Sequence, residues 1–129
     1  MRNSGKWTES RYHSFVKGAL RSASNRWPPK YEVRKEAWVS RGRYRCAGYR
    51  KKAHIVPATI RNPSGTGRGV ANVFVDHILP VVDPALGFVN WDVLIERLFC
   101  EKGGLQVLCK ECHDLKTTEE RVQRKKKNG

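Results

Sequence analysis

The chain is short of acidic residues, of long apolar runs and of cysteine, and each shortage removes a class of protein. Twelve aspartates and glutamates face 26 lysines and arginines in 129 residues, a formal net charge of +14. An excess of that size favours a polyanionic partner, because each phosphate neutralised releases condensed counterions. Nucleic acid is therefore the expected partner, set against the plainer reading of a well-solvated basic surface. No stretch approaches the ~20 apolar residues that a membrane-crossing helix needs, so no membrane partner is expected. The opening residues, MRNSGKWTES, are polar and lack the apolar core of a secretory signal, which points to an intracellular protein. Internal repeats are absent too. The four cysteines are Cys46, Cys100, Cys109 and Cys112. In a secreted chain they would suggest two disulfides. Without a signal, and with two of them spaced CxxC, they suggest metal binding in a reducing compartment. A chain of this length forms one domain with a modest core, which a metal can staple.

What is present divides near residue 42. Thr8 is a helix N-cap, and Tyr12, Phe15, Val16, Ala19 and Leu20 fall on one face of the helix behind it. Asn25 and Pro28-Pro29 stop that helix, and YEVRKEAWVS (31–40) reads as a second, with Tyr31, Val33, Ala37 and Trp38 apolar. Residues 1–42 thus form a basic helical arm, either simply packed on the remainder or gripping nucleic acid. His13 is expected at the surface, and Trp27 and Trp38 in the core. From Arg43, RYRC and HIVPATI are short strand-like runs, NPSGTGRG (62–69) is a loop, and NVFVDHILPVV is a strand that ends at Pro80. NWDVLIERLFC is a helix with Trp91, Leu94, Ile95, Leu98 and Phe99 inward, stopped by Gly103-Gly104. LQVL is another strand, and CKECHDLKTTEERVQRKKK a final helix with a basic end. KKKNG (125–129) is expected to be disordered.

Two stretches carry chemistry. Asp76 and His77 sit side by side in VFVDHILPV, an otherwise apolar strand. Such groups are costly among Val, Ile and Leu unless paired or bound to a metal, and a buried Asp–His hydrogen bond with no further role is the simplest account. The second stretch is VLCKECHDLKT (107–117), where His113 follows the CxxC pair Cys109 and Cys112 at once. Together they resemble the HNH endonuclease family, whose core is a ββα-metal unit. VDHILPV at 75–81 and LQVLCKECHDLKT at 105–117 match it in type and order. The resemblance covers about residues 43–120, and FVDHILPVVDP through NWDVLIERLFC is similar to the HNH proteins of tailed phages.

The resemblance implies an α+β fold: an HNH core over 43–129 with structural zinc, an N-terminal helical arm and a basic C-terminal helix, compact as a single domain. It implies a metal-dependent DNA endonuclease with His77 as general base, a role that suits an imidazole of ordinary pKa near ~6.5. Asp76 and His113 match the ligands of one catalytic divalent ion, Mg²⁺ or, given the imidazole, Mn²⁺, Ni²⁺ or Co²⁺. Double-stranded DNA is the implied substrate, with 5′-phosphate and 3′-hydroxyl products. Candidate phosphate contacts are Lys17, Arg21, Arg43, Arg45 and Lys116, each of which has a merely solvated alternative. Phage context adds a packaging role beside the terminase or a homing role, with a monomer favoured. A non-catalytic zinc-stabilised DNA-binding module and an RNA-directed protein are the competing classes.

The chain departs from the family twice. Zinc takes four ligands, but the first CxxC pair is broken: Tyr49 stands three residues after Cys46. His54 is the preferred fourth ligand beside Cys46, Cys109 and Cys112. Cys100 and a lapsed zinc site are the alternatives, and His113 is assigned away from the zinc. The family's Asn before LQ is replaced by Gly104, which has no side chain to orient the histidine loop. Glycine there suggests either weakened activity, a loop held by backbone groups, or a need for positive φ.

Overall fold

The Thr8 hydroxyl accepts the Arg11 amide at 3.1 Å, which satisfies one of the donors that every helix start leaves orphaned. The computed structural model describes residues 2–128 and runs helix α1 over Glu9–Ser24 from this cap. Pro28 and Pro29 do not separate the two helices but open the second, α2 (Pro28–Ala37), because a first-turn proline forfeits no hydrogen bond. The helix also ends earlier than its apolar pattern suggests. Trp38–Ser40 leave it as strand β1, turn at Gly42 (φ 72°), and pair with β2 (Arg43–Cys46). Trp and Val favour a strand once a glycine turn lets them pair. The expected division between arm and core at residue 42 falls at the turn of this hairpin.

The expected run 54–60 splits as well. Strand β3 (His54–Pro57) completes an antiparallel sheet of order β1-β2-β3, whereas β4 (Thr59–Ile60) pairs with β5 (Val70–Ala71) across the glycine-rich loop. Strand β6 (Val73–His77) stops at the histidine, short of Pro80, and pairs antiparallel with β7 (Leu105–Cys109). Between them lies α3 (Trp91–Leu98), capped by the Asn90 side chain, which accepts the Val93 amide at 2.8 Å. Helix α4 (Lys110–Asn128) follows β7 directly. It runs on through residues 125–128, where disorder was expected, and Gly129 lies outside the described residues. The described residues thus form a mixed α+β fold of four α-helices and small antiparallel sheets. Among the described residues, no helix is long and apolar enough to cross a membrane.

The main buried cluster is Val56, Val73, Val107 and Leu108 with Cys46, Cys109 and Cys112. Strand alternation puts Phe74, Asp76, Gln106 and Leu108 on one face of the β6–β7 pair, the face that carries α4, and Val73, Val75, His77 and Val107 on the other, towards α2. Leu94 and Leu98 are buried as expected, but Ile95, Phe15, Tyr31 and Trp38 are exposed. Helix α1 docks on α3 through His13, which is not a free surface residue: its ring lies 4.4 Å from Phe88 and 4.7 Å from Trp91. Trp27 does pack inward, and its indole N–H donates to the Cys100 carbonyl at 2.6 Å.

Asn72 joins the two halves of this arrangement. It is buried, its Nδ2 donates to the Pro57 carbonyl at 2.9 Å, and its Oδ1 accepts the Lys110 amide at 3.2 Å. The end of β3 is thereby tied to the first turn of α4. Replacing Asn72 with Ala removes both side-chain bonds; the exposed Pro57 residue turns to water and the Lys110 amide keeps its bond to the Asn72 backbone carbonyl at 3.2 Å. The substitution should cost about 1–2 kcal/mol in urea unfolding, the net worth of two ordinary hydrogen bonds. A loss below about 0.5 kcal/mol would show that the bridge carries no strain of this kind.

Candidate functional site

Two polar constellations meet at the start of α4. The first comprises Cys46 at the end of β2, His54 at the start of β3, Cys109 at the end of β7 and Cys112 in the first turn of α4. One ligand atom from each lies within 4.8 Å of all the others. The cluster is compatible with a structural metal such as zinc, and all four cysteines of the chain are free thiols. His54 is therefore the fourth member of the cluster. Cys100 stands apart, and so does His113.

Local sequence explains how the cluster closes. The turn after Cys46 passes through Gly48 at φ 84°, where an added Cβ would lie 2.3 Å from the Lys51 carbonyl oxygen. Only glycine fits so tight a return. The Gly48 and Cys109 amides both donate to the Cys46 sulfur, at 3.3 and 3.2 Å. His54 Nδ1 lies 3.1 Å from the Lys52 carbonyl, which can only accept. That bond puts the ring proton on Nδ1 and leaves Nε2 bare, 3.7 Å from the Cys109 sulfur, the orientation a metal-ligating imidazole needs. Burial beside Cys46 and Cys109 pushes the Cys112 thiol up to about 11. Burial opposes ionisation of Cys109 too, but hydrogen bonds from the Cys112 backbone and His54 leave its thiol below the ordinary value. Such a cluster ionises fully only around a cation. Tyr49, three residues after Cys46, bonds the Glu119 carboxylate of α4, which Arg50 also holds at 2.6 Å. The loop is thus pinned to the helix by side chains.

The second constellation lies on the other side of the same turn. His113 faces Asp76, its Nε2 4.0 Å from Oδ1, and its ring stacks on Phe74 at 5.2 Å. A divalent ion about 2.1 Å from each donor spans ligand pairs roughly 3 to 4.2 Å apart, so this pair fits one cation between them. Asp76 Oδ2 is already engaged, by Lys116 Nζ at 2.6 Å and Gln106 Nε2 at 3.1 Å. Lys116 is consequently not a free phosphate contact. It is buried, and it also donates to the His77 carbonyl.

His77 ends its strand with the ring turned to α3. Its Nε2 lies 2.9 Å from the Leu98 carbonyl, so Nε2 carries the proton and Nδ1 the lone pair. Burial, aided by the charges of Lys30 and Lys116, holds the imidazole below its ordinary pKa against the opposing pull of Leu98 and Asp76. Gly104 is not in the left-handed region, which disposes of the positive-φ reading. Instead, an added Cβ would lie 2.9 Å from the Cys100 sulfur, so that thiol occupies the space a side chain would need. The Gly104 carbonyl accepts the Ile78 amide at 2.9 Å, and backbone groups hold the segment after His77.

A cleft of about 340 Å³ opens on Asp76, His77, His113 and Lys116, and Lys17, Arg21, Glu120 and Arg124 line it as well. Helix α1 therefore brings two of the expected cations to the site and α4 adds a third, Arg124. Nearby Arg21 and Arg124, after burial itself, lower the Lys17 pKa. Arg43 and Arg45 lie on the exposed side of β2, outside this cleft. Gln106, Phe74, Glu120 and Arg124 escaped the sequence reading. Cross-strand register would have paired Gln106 with Asp76, and the 113, 116, 120, 124 spacing marks one face of a helix. Comparison with protein-family models, curated proteins and solved structures finds no match to this chain.

Metal content separates the two candidate fourth ligands. Cys46→Ser and His54→Ala should lose the tightly held metal and unfold at much lower temperature. Structural sites of this kind contribute roughly 10–16 kcal/mol, more than a domain's net stability. Cys100→Ser should keep about one metal per chain by elemental analysis, and its loss there would put Cys100 in the ligand set.

Proposed function

We propose that the chain is a metal-dependent endonuclease of the HNH, or ββα-metal, type that hydrolyses phosphodiester bonds in double-stranded DNA. The observation that carries this is the cleft itself. A carboxylate and an imidazole spaced for one cation share it with three basic side chains from two helices. The succession of β6, β7 and α4, with the Asp-His pair ending the first strand and Cys-His opening the helix, supports the same reading. Zinc is the metal assigned to Cys46, His54, Cys109 and Cys112, whose three thiolates and one imidazole suit its tetrahedral preference.

Lys17, Arg21 and Arg124 bind the phosphates flanking the scissile bond. Asp76 and His113 hold a divalent ion, which when bound supplies charge stabilisation to the phosphate and the departing 3′ oxygen. His77, its proton fixed on Nε2 by Leu98, takes a proton from the attacking water at Nδ1. That water's oxygen bonds to phosphorus, the bond to the 3′ oxygen breaks, and the 3′ oxygen takes a proton from solvent, leaving 5′-phosphate and 3′-hydroxyl ends. Burial keeps the imidazole neutral at physiological pH and so ready for this step.

A second reading, a zinc-stabilised DNA-binding module without catalysis, draws on the Lys116–Asp76 ion pair, which satisfies the carboxylate without any metal. Supercoiled-plasmid cleavage separates them. Relaxation should be blocked by EDTA and restored by Mg²⁺ or Mn²⁺. His77→Ala should lose about 10²-fold or more in rate with duplex affinity nearly unchanged. Tight duplex binding with no cleavage in any metal would favour the binding module, and near-normal cutting by His77→Ala would remove the base assignment.

A further inference from the structure

Lys116 is 7% exposed, an unusual place for an ammonium, and its partners say why it is there. It donates to Asp76 Oδ2 at 2.6 Å and to the His77 backbone carbonyl, while Glu120 Oε1 lies 3.7 Å away, one turn further along α4. Gln106 fills another acceptor site of the same Oδ2. A carboxylate and a carbonyl that share one compact cation form an oxygen site already loaded, with a monovalent ion built into the chain.

A divalent cation between Asp76 and His113 needs that same carboxylate. Two cations a few ångströms apart in a partly buried site repel strongly, and the more highly charged one competes better for the carboxylate. The lysine stem is flexible, and the nearest other acceptor is Glu120, on the wall of the cleft that Lys17, Arg21 and Arg124 also line. We propose that the Lys116 ammonium is the resident cation of the Asp76 site, and that a divalent metal displaces it towards Glu120 and the basic wall. The proposal rests on the metal site assigned above. Displacement would raise the positive charge of the wall at the moment the metal arrives, so metal and nucleic acid would reinforce each other's binding.

The wild-type protein provides the first test. In nitrogen-15 NMR of the lysine side chains, zinc-loaded protein free of other metal should show an exchange-protected ammonium signal that through-bond correlations assign to Lys116. Saturating Mg²⁺ should abolish it. Persistence of the signal at saturation would overturn the displacement, and this arm needs no variant to fold. Where Lys116→Met folds, it should bind Mn²⁺ about tenfold tighter than wild type by electron paramagnetic resonance. Unchanged or weaker binding would equally overturn the idea. If the wild type shows no Mn²⁺ binding that Asp76→Asn removes, the metal site itself falls and the displacement with it. That outcome is distinct from one in which metal binds and the ammonium stays.

Discussion

Three sulfurs and one imidazole nitrogen meet inside the molecule, and nearly everything else is arranged around that meeting. The sheets have only two or three strands, and paired strands of that size are marginal by themselves in water. The buried cluster shows how they are held. Cys46, Cys109 and Cys112 sit in it beside Val56, Val73, Val107 and Leu108, so the ligands form part of the hydrophobic core. A cation at this point would join the β2–β3 hairpin to the junction of β7 and α4. Asn72 reinforces the same joint from one side, and the Tyr49–Glu119–Arg50 contacts reinforce it from the other.

The cleft inherits its geometry from that joint. Cys112 and His113 are neighbours in the first turn of α4, so fixing the one fixes where the other points. Cys112 faces the sulfur cluster, and His113 faces Asp76 with Phe74 beneath its ring. Further along the same helix face come Lys116, Glu120 and Arg124, which makes α4 both the clamp and the floor of the cleft. Helix α1 closes it with Lys17 and Arg21, held in place through His13, Phe88 and Trp91. The basic arm therefore belongs to the candidate site and is more than a solubilising appendage.

Much of this could be read from residues alone, where local chemistry decides. Thr8 acts as a cap, LQVLC forms a strand, and His54 joins Cys46, Cys109 and Cys112, because capping, alternation and ligand spacing are short-range rules. The failures share a cause in tertiary contact. Trp38 and Val39 satisfy a helical pattern but pair as a strand once Gly42 turns the chain. Phe15 and Ile95 lie on apolar faces yet stay exposed, Phe15 with the Trp7 ring edge-on beside it. Gly104 seemed a question of backbone freedom or of a missing amide, and is instead a matter of space already taken by Cys100. Lys116 looked like a surface cation in a basic helix. Its burial becomes visible only when strand register brings Asp76 over α4, since a helix in isolation says nothing about which acid it will meet.

A metal held by three cysteines and His54 at the root of α4 would be open to direct inspection. X-ray absorption at the zinc edge of the purified protein reads the ligand shell without any substitution. The account predicts three sulfurs at about 2.3 Å and one imidazole nitrogen at about 2.0 Å. A shell of four sulfurs would replace His54 by Cys100, and a shell of nitrogen and oxygen alone would contradict the account outright.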